Sequence, residues 1–367
     1  MTSRERLLTA MHCGRPDRVP VVVRGVFPWD DAWVESRHPS YAPLIQAVAE
    51  HCDWEASWGA SAPLQSAERL PQDVRYDEEE DWRVLVTRLH TPQGELVSRH
   101  RLSKRGLPGM RVEFPVKQPE HVDWVLAAPH APYRPPLGPL RELQDRLGER
   151  GVVLVSLNNP VTFVHDLLGS ERLALWSLDH PDLLDRMVEE FRERVTATLA
   201  YLLENRAAEV YAFYGAEFLT PPLASPDQFR RWVVEPEKRF GEMIHAAGAL
   251  FWVHCHGPLR SAIHGFLEMG VDCLHPIEAP PMGDLDLGEA KAIVGGRMCL
   301  EGDTQIGDLY AGTEERVRGL VRLAIDRAAG DGGFILCPTA SPHTEELSPR
   351  TVNNYLSYIS EALAYGS

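Results

Sequence analysis

The chain has 367 residues, of which 25% are charged and 44% hydrophobic, an ordinary composition for a globular protein. Its formal net charge of −16 argues against nucleic acid and anionic membrane surfaces as partners. No apolar run is long enough to span a bilayer, and the first residues lack the apolar core of a signal peptide. Six cysteines without a short-range pairing pattern indicate a reducing compartment, so we expect a cytoplasmic protein.

The first third of the chain mixes helical and extended patterns. Helical spacing of apolar residues predicts a helix over residues 4–11 and a short one over 43–52. Residues 19–24 are apolar on both faces, as in a parallel sheet, and end at Arg24. Residues 82–89 and 95–103 alternate β-prone and polar side chains around a Pro-Gln-Gly turn. This pattern predicts an antiparallel hairpin inserted at about 80–115.

From residue 137 onward, predicted strands and helices alternate. The strands cover residues 152–157, 209–214, 249–253, 270–278, 297–303 and 333–338. The helices cover residues 139–147, 162–168, 172–178, 181–205, 226–247, 259–269, 287–294, 314–329 and 352–364. No Gly-x-Gly-x-x-Gly follows the first strand, so a (β/α)8 barrel is favoured over a dinucleotide-binding fold. We expect one domain, residues 1–367, with an N-terminal extension and the β-hairpin insertion.

Polar side chains stand at the ends of many predicted strands. They are Arg24, Asn158, Asn159, Glu217, His254, His256, Glu278 and Asp303. Active sites of (β/α)8 barrels lie at the carboxyl ends of the strands, so the fold would gather these groups at one place. A scaffold without chemistry needs none of them there, and this density favours an enzyme.

His254 and His256 are the centre of a predicted metal site. Two residues apart in extended backbone, they point to the same face of the strand. Glu278 ends the next strand and Cys337 the last, and either could supply a third ligand. Two histidines with a glutamate or a cysteine and one open position suit a catalytic divalent metal. The alternative is that both histidines are hydrogen-bonded residues at the top of the barrel.

Other strand-end groups are candidates for substrate binding and proton transfer. Glu217, Asp303 and His275 are rival ligands or acid–base groups. Arg24 offers a planar set of donors matched to a carboxylate, although a salt bridge to a neighbouring acid would also explain it. Asn158 and Asn159 are further candidates for contact with the substrate.

Several motifs together resemble the uroporphyrinogen decarboxylase-like superfamily. They are Arg-Glu-Arg-Leu at 4–7, Pro-Asp-Arg-Val-Pro-Val at 16–21, His-Cys-His-Gly at 254–257, Gly-Val-Asp at 270–272, Gly-Asp at 302–303 and Gly-Gly-Phe-Ile-Leu at 332–336. The resemblance implies a (β/α)8 barrel. It also implies one of two enzyme kinds, a metal-free porphyrinogen decarboxylase or a zinc-dependent methyltransferase that exchanges methyl groups between corrinoid proteins or methylated donors and a thiol.

The chain departs from both enzyme kinds. Of the decarboxylase's paired arginines only Arg24 remains, and its Gly-His-Gly after the last strand is missing. The methyltransferases carry His-x-Cys-Gly, and here His256 stands in place of that cysteine. Their second cysteine corresponds to Ala340, with Cys337 three residues earlier. Glu278 falls about two dozen residues after His254, the spacing of a glutamate in the related cobalamin-independent methionine synthases.

These departures imply a retained metal site with harder ligands and a weaker preference for a thiol. We therefore expect a metal-dependent enzyme acting on a small anionic molecule, in first place a methyltransferase with zinc and a corrinoid-bound methyl donor. The alternatives are a decarboxylase or other lyase acting on a carboxylated small molecule, and a non-catalytic subunit that docks a corrinoid protein. A homodimer is a further expectation.

Overall fold

Two sheets organise the molecule in the computed structural model, which describes residues 1–60, 70–104 and 109–366. The strands are β1 (Trp54–Gly59), β2 (Gln72–Glu78), β3 (Trp82–Thr91), β4 (Gly94–Ser103), β5 (Met110–Glu113), β6 (Gly151–Asn158), β7 (Val210–Tyr214), β8 (Leu250–His254), β9 (Cys273–Ile277), β10 (Cys299–Thr304) and β11 (Phe334–Pro338). Seven of them form a parallel sheet in the order β1-β6-β7-β8-β9-β10-β11, and the other four form an antiparallel sheet. Sequential order with parallel pairing is the pattern of a TIM-barrel-like fold.

Residues 20–22 lie between the two edge strands of the parallel sheet. Val21 forms a parallel bridge with Leu336 of β11, and the amide of Val22 donates to the Leu336 carbonyl at 2.9 Å. On the other side, the amide of Asp53, just before β1, donates to the Val21 carbonyl at 2.8 Å. The first predicted strand is therefore only a bridge in the structure, but it occupies the eighth position and joins β11 to β1.

Helices surround the parallel sheet, and the first of them lies at the end where the strands begin. They are α1 (Ser3–Met11), α2 (Asp31–Glu35), α3 (Ala42–His51), α4 (Glu120–Leu126), α5 (Gly138–Leu147), α6 (Pro160–Asp179), α7 (Pro181–Glu204), α8 (Pro226–Phe229), α9 (Glu235–Ala246), α10 (Ile263–Met269), α11 (Leu287–Val294), α12 (Ile306–Ala311), α13 (Glu314–Ala328) and α14 (Pro349–Tyr365). A π-helical turn, Arg230–Val234, joins α8 to α9. None of the helices in the described parts of the chain is both long and apolar enough to cross a membrane.

The interior of the barrel has its own small core. It contains Val22, Val152, Leu154, Val210, Ala212, Leu250, Trp252, Cys273, Cys299, Ile335 and Cys337. Leu7, Ala10 and Met11 of α1 pack against these side chains and fill the end where the strands begin. Alternate residues of a strand share a face, so the same alternation leads from Trp252 to His254 and from Cys299 to Glu301. The interior positions nearest the carboxyl ends are therefore polar.

The antiparallel sheet contains the predicted hairpin. β3 pairs with β4 from Trp82 with Ser103 to Thr91 with Gly94. The structure adds β2 and β5 on either side, neither of which was predicted as a strand. Just after β5, the amide of Val116 donates to the carbonyl of Leu167 at 3.0 Å, which ties this region to α6.

Candidate functional site

The carboxyl ends of three neighbouring strands bring aromatic side chains together. Tyr214 of β7 pairs in register with His254 of β8, which pairs with His275 of β9. The ring centroids of Tyr214 and His254 lie 5.3 Å apart, and those of His254 and His275 lie 5.1 Å apart with planes inclined by 19°. Equivalent positions on parallel strands produce this row, since their side chains leave the sheet on the same face.

His254 and His275 contact each other through their rings. Their Nδ1 atoms lie 3.0 Å apart, and Nε2 of His275 lies 3.3 Å from the carbonyl oxygen of Pro338. Burial holds the pKa of both imidazoles well below the usual value, and the positive charge of Arg24 lowers both further. Both rings are therefore neutral near pH 7.

His256 forms the outer part of the same group. Its ring lies 4.7 Å from that of His254, nearly at a right angle, and its side chain is 39% exposed. Oε2 of the buried Glu278 lies 3.1 Å from Nδ1 of His256 and accepts a hydrogen bond from the amide of Gly257 at 3.0 Å. The structure thus places Glu278 where its carboxylate orients His256.

Glu217 lies in the short 3-10 helix that follows β7, Ala216–Leu219. Its Oε2 is buried and has no hydrogen-bond partner in the described part of the chain. Burial raises the pKa of this carboxyl, while the nearby His256 lowers it by a smaller amount. A carboxyl with a raised pKa beside a half-exposed imidazole can hold a proton for a reaction.

Arg24 extends across the interior below the histidines. Its Nη2 donates to the hydroxyl of Tyr214 at 3.2 Å, and its guanidinium carbon lies 5.2 Å from the ring centroid of Trp252. Within residues 1–60, 70–104 and 109–366 it makes no salt bridge. Burial opposes the charge of Arg24, but Tyr214 and the buried Glu301 outweigh it, and the pKa of the guanidinium is raised.

Glu55 and Glu301 are two acids of the barrel interior that the sequence analysis missed. Oε2 of Glu301 accepts a hydrogen bond from Nε1 of Trp252 at 2.8 Å. The other oxygen of Glu301 and both oxygens of Glu55 are buried and lack a donor among the described residues. Burial raises the pKa of both carboxyls, and the charge of Glu301 raises that of Glu55 further. The available signal was Glu301 itself, a second charged residue two positions before Asp303 in a predicted strand.

A compact set of metal-binding groups lies at this level of the barrel. Among the described residues, one nitrogen of His275, one oxygen of Glu301 and the sulfur of Cys337 lie within 4.8 Å of one another. All three side chains are buried. This nitrogen, oxygen and sulfur set could hold a metal ion such as zinc. Cys337, predicted as a ligand beside His254 and His256, lies instead with His275 and Glu301.

The remaining predicted site residues are Asn158, Asn159 and Asp303. Oδ1 of Asn159 accepts a hydrogen bond from the amide of Thr162 at 2.9 Å and so caps α6, while Asn158 ends β6 opposite Tyr214. Asp303 has a φ of 101°, and burial raises its pKa to about 7. The charges that act on Asp303 come from Arg327 of α13 and from Asp286, the N-cap of α11.

The chain belongs to the uroporphyrinogen decarboxylase (URO-D) family, whose model matches residues 109–348. A methyltransferase from Methanosarcina mazei has a similar structure, with a TM-score of 0.66 and 16% identity over 100% of both chains. This likeness supports the fold. A 3-keto-D-glucoside 4-epimerase from E. coli is much more distant, with a TM-score of 0.38 and 11% identity over 68% of this chain and 97% of its own. A search of curated protein sequences finds no match.

Proposed function

We propose that the protein is a metal-dependent methyltransferase acting on a small anionic molecule, with the metal held by Nε2 of His254 and Nε2 of His256. The hydrogen-bond partners of the two imidazole rings support this proposal. The Nδ1 atom of each ring faces a buried partner, His275 at 3.0 Å and Glu278 at 3.1 Å. The Nε2 atom of each ring is therefore the one left to bind a ligand.

The donor groups fit a metal of the zinc type. Metal-binding histidines usually carry a hydrogen bond on the second ring nitrogen, which fixes the ring and its tautomer. His256 with Glu278 and His254 with His275 both follow this rule. When bound, the metal would supply Lewis acidity toward the reacting atom of the substrate.

Arg24 would bind the anionic group of the substrate. The Tyr214 hydroxyl and the Trp252 ring hold its guanidinium, and no salt bridge within the described residues neutralises it. Several of its five N–H donors therefore stay available for a carboxylate or phosphate. Because Arg24 is surrounded by protein, such a contact would be stronger than one in water.

Glu217 would act as the acid–base group, holding on Oε2 the proton that it gives to the substrate. This atom is buried beside His256, and burial raises the pKa of the carboxyl, so the protonated form persists to a higher pH. His256 is the most exposed member of the group and would meet the incoming substrate first. A corrinoid-bound methyl group is the donor that the sequence resemblance implies.

A decarboxylase is the second candidate function. The buried carboxyls of Glu55 and Glu301 beside Arg24 favour it. Burial raises the pKa of both acids, so each holds its proton to a higher pH than an exposed glutamate does. An acid next to an anion-binding arginine could protonate the carbanion that forms when carbon dioxide leaves.

Metal analysis of untagged protein tests the proposed function. We expect about one zinc-type metal per chain in the wild type and a loss of most of it in the double variant His254→Ala, His256→Ala. The matched control replaces two exposed histidines, His12 and His264. Near-zero metal in all three proteins would contradict a metal-dependent reaction.

Turnover assays then separate the two functions. Thiol, oxygen and carbon acceptors are each offered with and without a methylated corrinoid. Methyl transfer that depends on the donor and on His254 and His256 would support the methyltransferase. Release of carbon dioxide from a carboxylated substrate without any donor would instead support the decarboxylase.

A further inference from the structure

Two candidate sets of metal ligands meet at one hydrogen bond. The first set is His254 and His256, and the second is the buried triad of His275, Glu301 and Cys337. The contact between the Nδ1 atoms of His254 and His275, 3.0 Å apart, joins the two sets. Only one hydrogen fits between two nitrogens at this distance, so one ring donates and the other accepts.

The carbonyl of Pro338 decides which ring donates. A carbonyl oxygen can only accept, so Nε2 of His275, 3.3 Å away, must carry the hydrogen of that contact. A neutral imidazole has a single N–H, and Nδ1 of His275 is therefore the acceptor. His254 must then donate from Nδ1, which leaves Nε2 of His254 with a free lone pair.

We propose that His275 is a positioning residue that reserves Nε2 of His254 for the metal and keeps the metal out of the buried triad. The proposal rests on the proposed function, because it assigns the site of that metal. His275 resembles a ligand by its distances to Glu301 and Cys337, yet both of its nitrogens already have partners.

A metal on the triad would remove His254 as a ligand. If the metal took Nε2 of His275, the ring would keep its hydrogen on Nδ1 and donate to His254. Nε2 of His254 would then carry a hydrogen and could not bind a metal. If the metal took Nδ1 of His275 instead, the contact between the rings would break. Because only one hydrogen lies between the two Nδ1 atoms, the two sets exclude each other.

Exposure to solvent favours the set of His254 and His256, which we call the outer set, as the site of a catalytic metal. His275, Glu301 and Cys337 are each 0% exposed, so an ion there could not meet a substrate. The side chain of His256 is 39% exposed. Oε2 of Glu301 is also engaged by Nε1 of Trp252. The open coordination position that a catalytic metal needs is available only at the outer set.

Nitrogen NMR of the metal-free wild type tests the tautomers directly. In protein labelled with ¹⁵N-histidine, the ring signals that disappear in His275→Phe belong to His275 and should show the hydrogen on Nε2. The ring signals that disappear in His254→Ala belong to His254 and should show the hydrogen on Nδ1. The opposite pair of tautomers would overturn the proposal, whether or not the protein binds a metal.

Cobalt(II) titration tests where the metal sits. Cobalt bound to a thiolate absorbs in the near ultraviolet, and cobalt bound by nitrogen and oxygen alone does not. We expect no thiolate band in the wild type and unchanged cobalt content in Cys337→Ser, with Cys299→Ser as the matched buried control. A thiolate band that disappears in Cys337→Ser would place the metal in the triad and overturn the proposal. Absence of any binding would contradict the proposed function alone.

Two substitutions at position 275 separate positioning from packing. Phenylalanine keeps the ring shape but removes both hydrogen bonds, and cobalt affinity should fall by about 10- to 100-fold. Glutamine has one donor and one acceptor in its amide, so His275→Gln should retain more of that affinity than His275→Phe. Wild-type affinity in His275→Phe would show that the ring does not position His254.

Discussion

Nε1 of Trp252 donates a hydrogen bond of 2.8 Å to one oxygen of Glu301, while the second oxygen of that carboxyl has no partner among the described residues. The charge of Glu301 raises the pKa of Glu55, the other buried acid of the interior. Two buried acids with a raised pKa oppose each other when both are ionised. The interior of the barrel therefore carries a free-energy cost that grows as pH rises.

Glu55→Gln should stabilise the protein at neutral and alkaline pH. A carboxyl whose pKa is raised in the folded state binds more protons folded than unfolded, so stability declines as pH rises from about 4 through the folded pKa. Denaturant unfolding at pH 5 and pH 8 checks this, and the gain should be larger at pH 8. A variant that is less stable at both values would contradict it.

Arg24→Lys should weaken substrate binding and leave the melting temperature nearly unchanged. Lysine keeps the charge but loses the planar set of donors, so KM should rise by about 10- to 100-fold, equivalent to about 1.4–2.7 kcal/mol. Steady-state kinetics and thermal unfolding measure the two effects. Arg18→Lys is the control, because Arg18 binds Asp53 near the start of β1 and should affect stability without changing KM. A lower melting temperature with unchanged KM would make Arg24 structural.

Glu217→Gln should lower kcat by about 100- to 10,000-fold, the usual contribution of a positioned acid or base. Burial raises the pKa of Glu217, so an acid role predicts that wild-type activity declines as pH rises through that pKa. The pH–rate profile of the variant should lack this alkaline limb. If the variant keeps the alkaline decline in activity, that decline is caused by the titration of another group.

Asp303→Asn should retain activity and remove a pH dependence of stability. The pKa of Asp303 is raised to about 7, so the folded state loses stability as pH rises from about 4 to about 7. The charges acting on Asp303 come from Arg327 and Asp286 and not from the histidines. Unfolding and turnover measured between pH 5 and pH 8 check both parts. A large loss of kcat would restore the acid–base role that the sequence suggested for Asp303.

His256→Cys should change the metal preference before it changes folding. This variant restores the His-x-Cys pattern of the resembling methyltransferases, and a thiolate is a softer ligand than an imidazole. We expect a thiolate band with cobalt(II), a stronger preference for thiol acceptors and a melting temperature close to that of the wild type. Unchanged metal content and acceptor selectivity would remove His256 from the site.

Most of the barrel could be predicted from the sequence because buried parallel strands are short apolar runs. β6 to β11 have this pattern, and each was predicted within a few residues of its bounds. β1 was missed because Glu55 and Ser57 interrupt the apolar pattern, and Glu55 is one of the acids of the interior. Glu55 therefore explains both why this strand was not predicted and why it contributes an acid to the interior.

Only the part of the candidate site that lies within one short motif could be predicted from the sequence. His254 and His256 are two residues apart, so their shared face follows from strand geometry alone. The contact of His254 with His275 depends on the register between β8 and β9, which no local pattern contains. The hydrogen bond between Trp252 on β8 and Glu301 on β10 likewise depends on how the strands pair, so it could not be predicted either.

The join at Val21 makes Arg24 sensitive to local opening of the barrel. Only a few backbone hydrogen bonds hold residues 20–22 to Leu336 and Asp53, whereas the other strands pair over several residues. Short pairings open more readily than long ones, so the amides of this join should exchange with solvent faster than those of β7 or β8. An anion bound to Arg24 would tie this segment to the opposite wall and slow that exchange, and this would couple anion binding to closure of the ring.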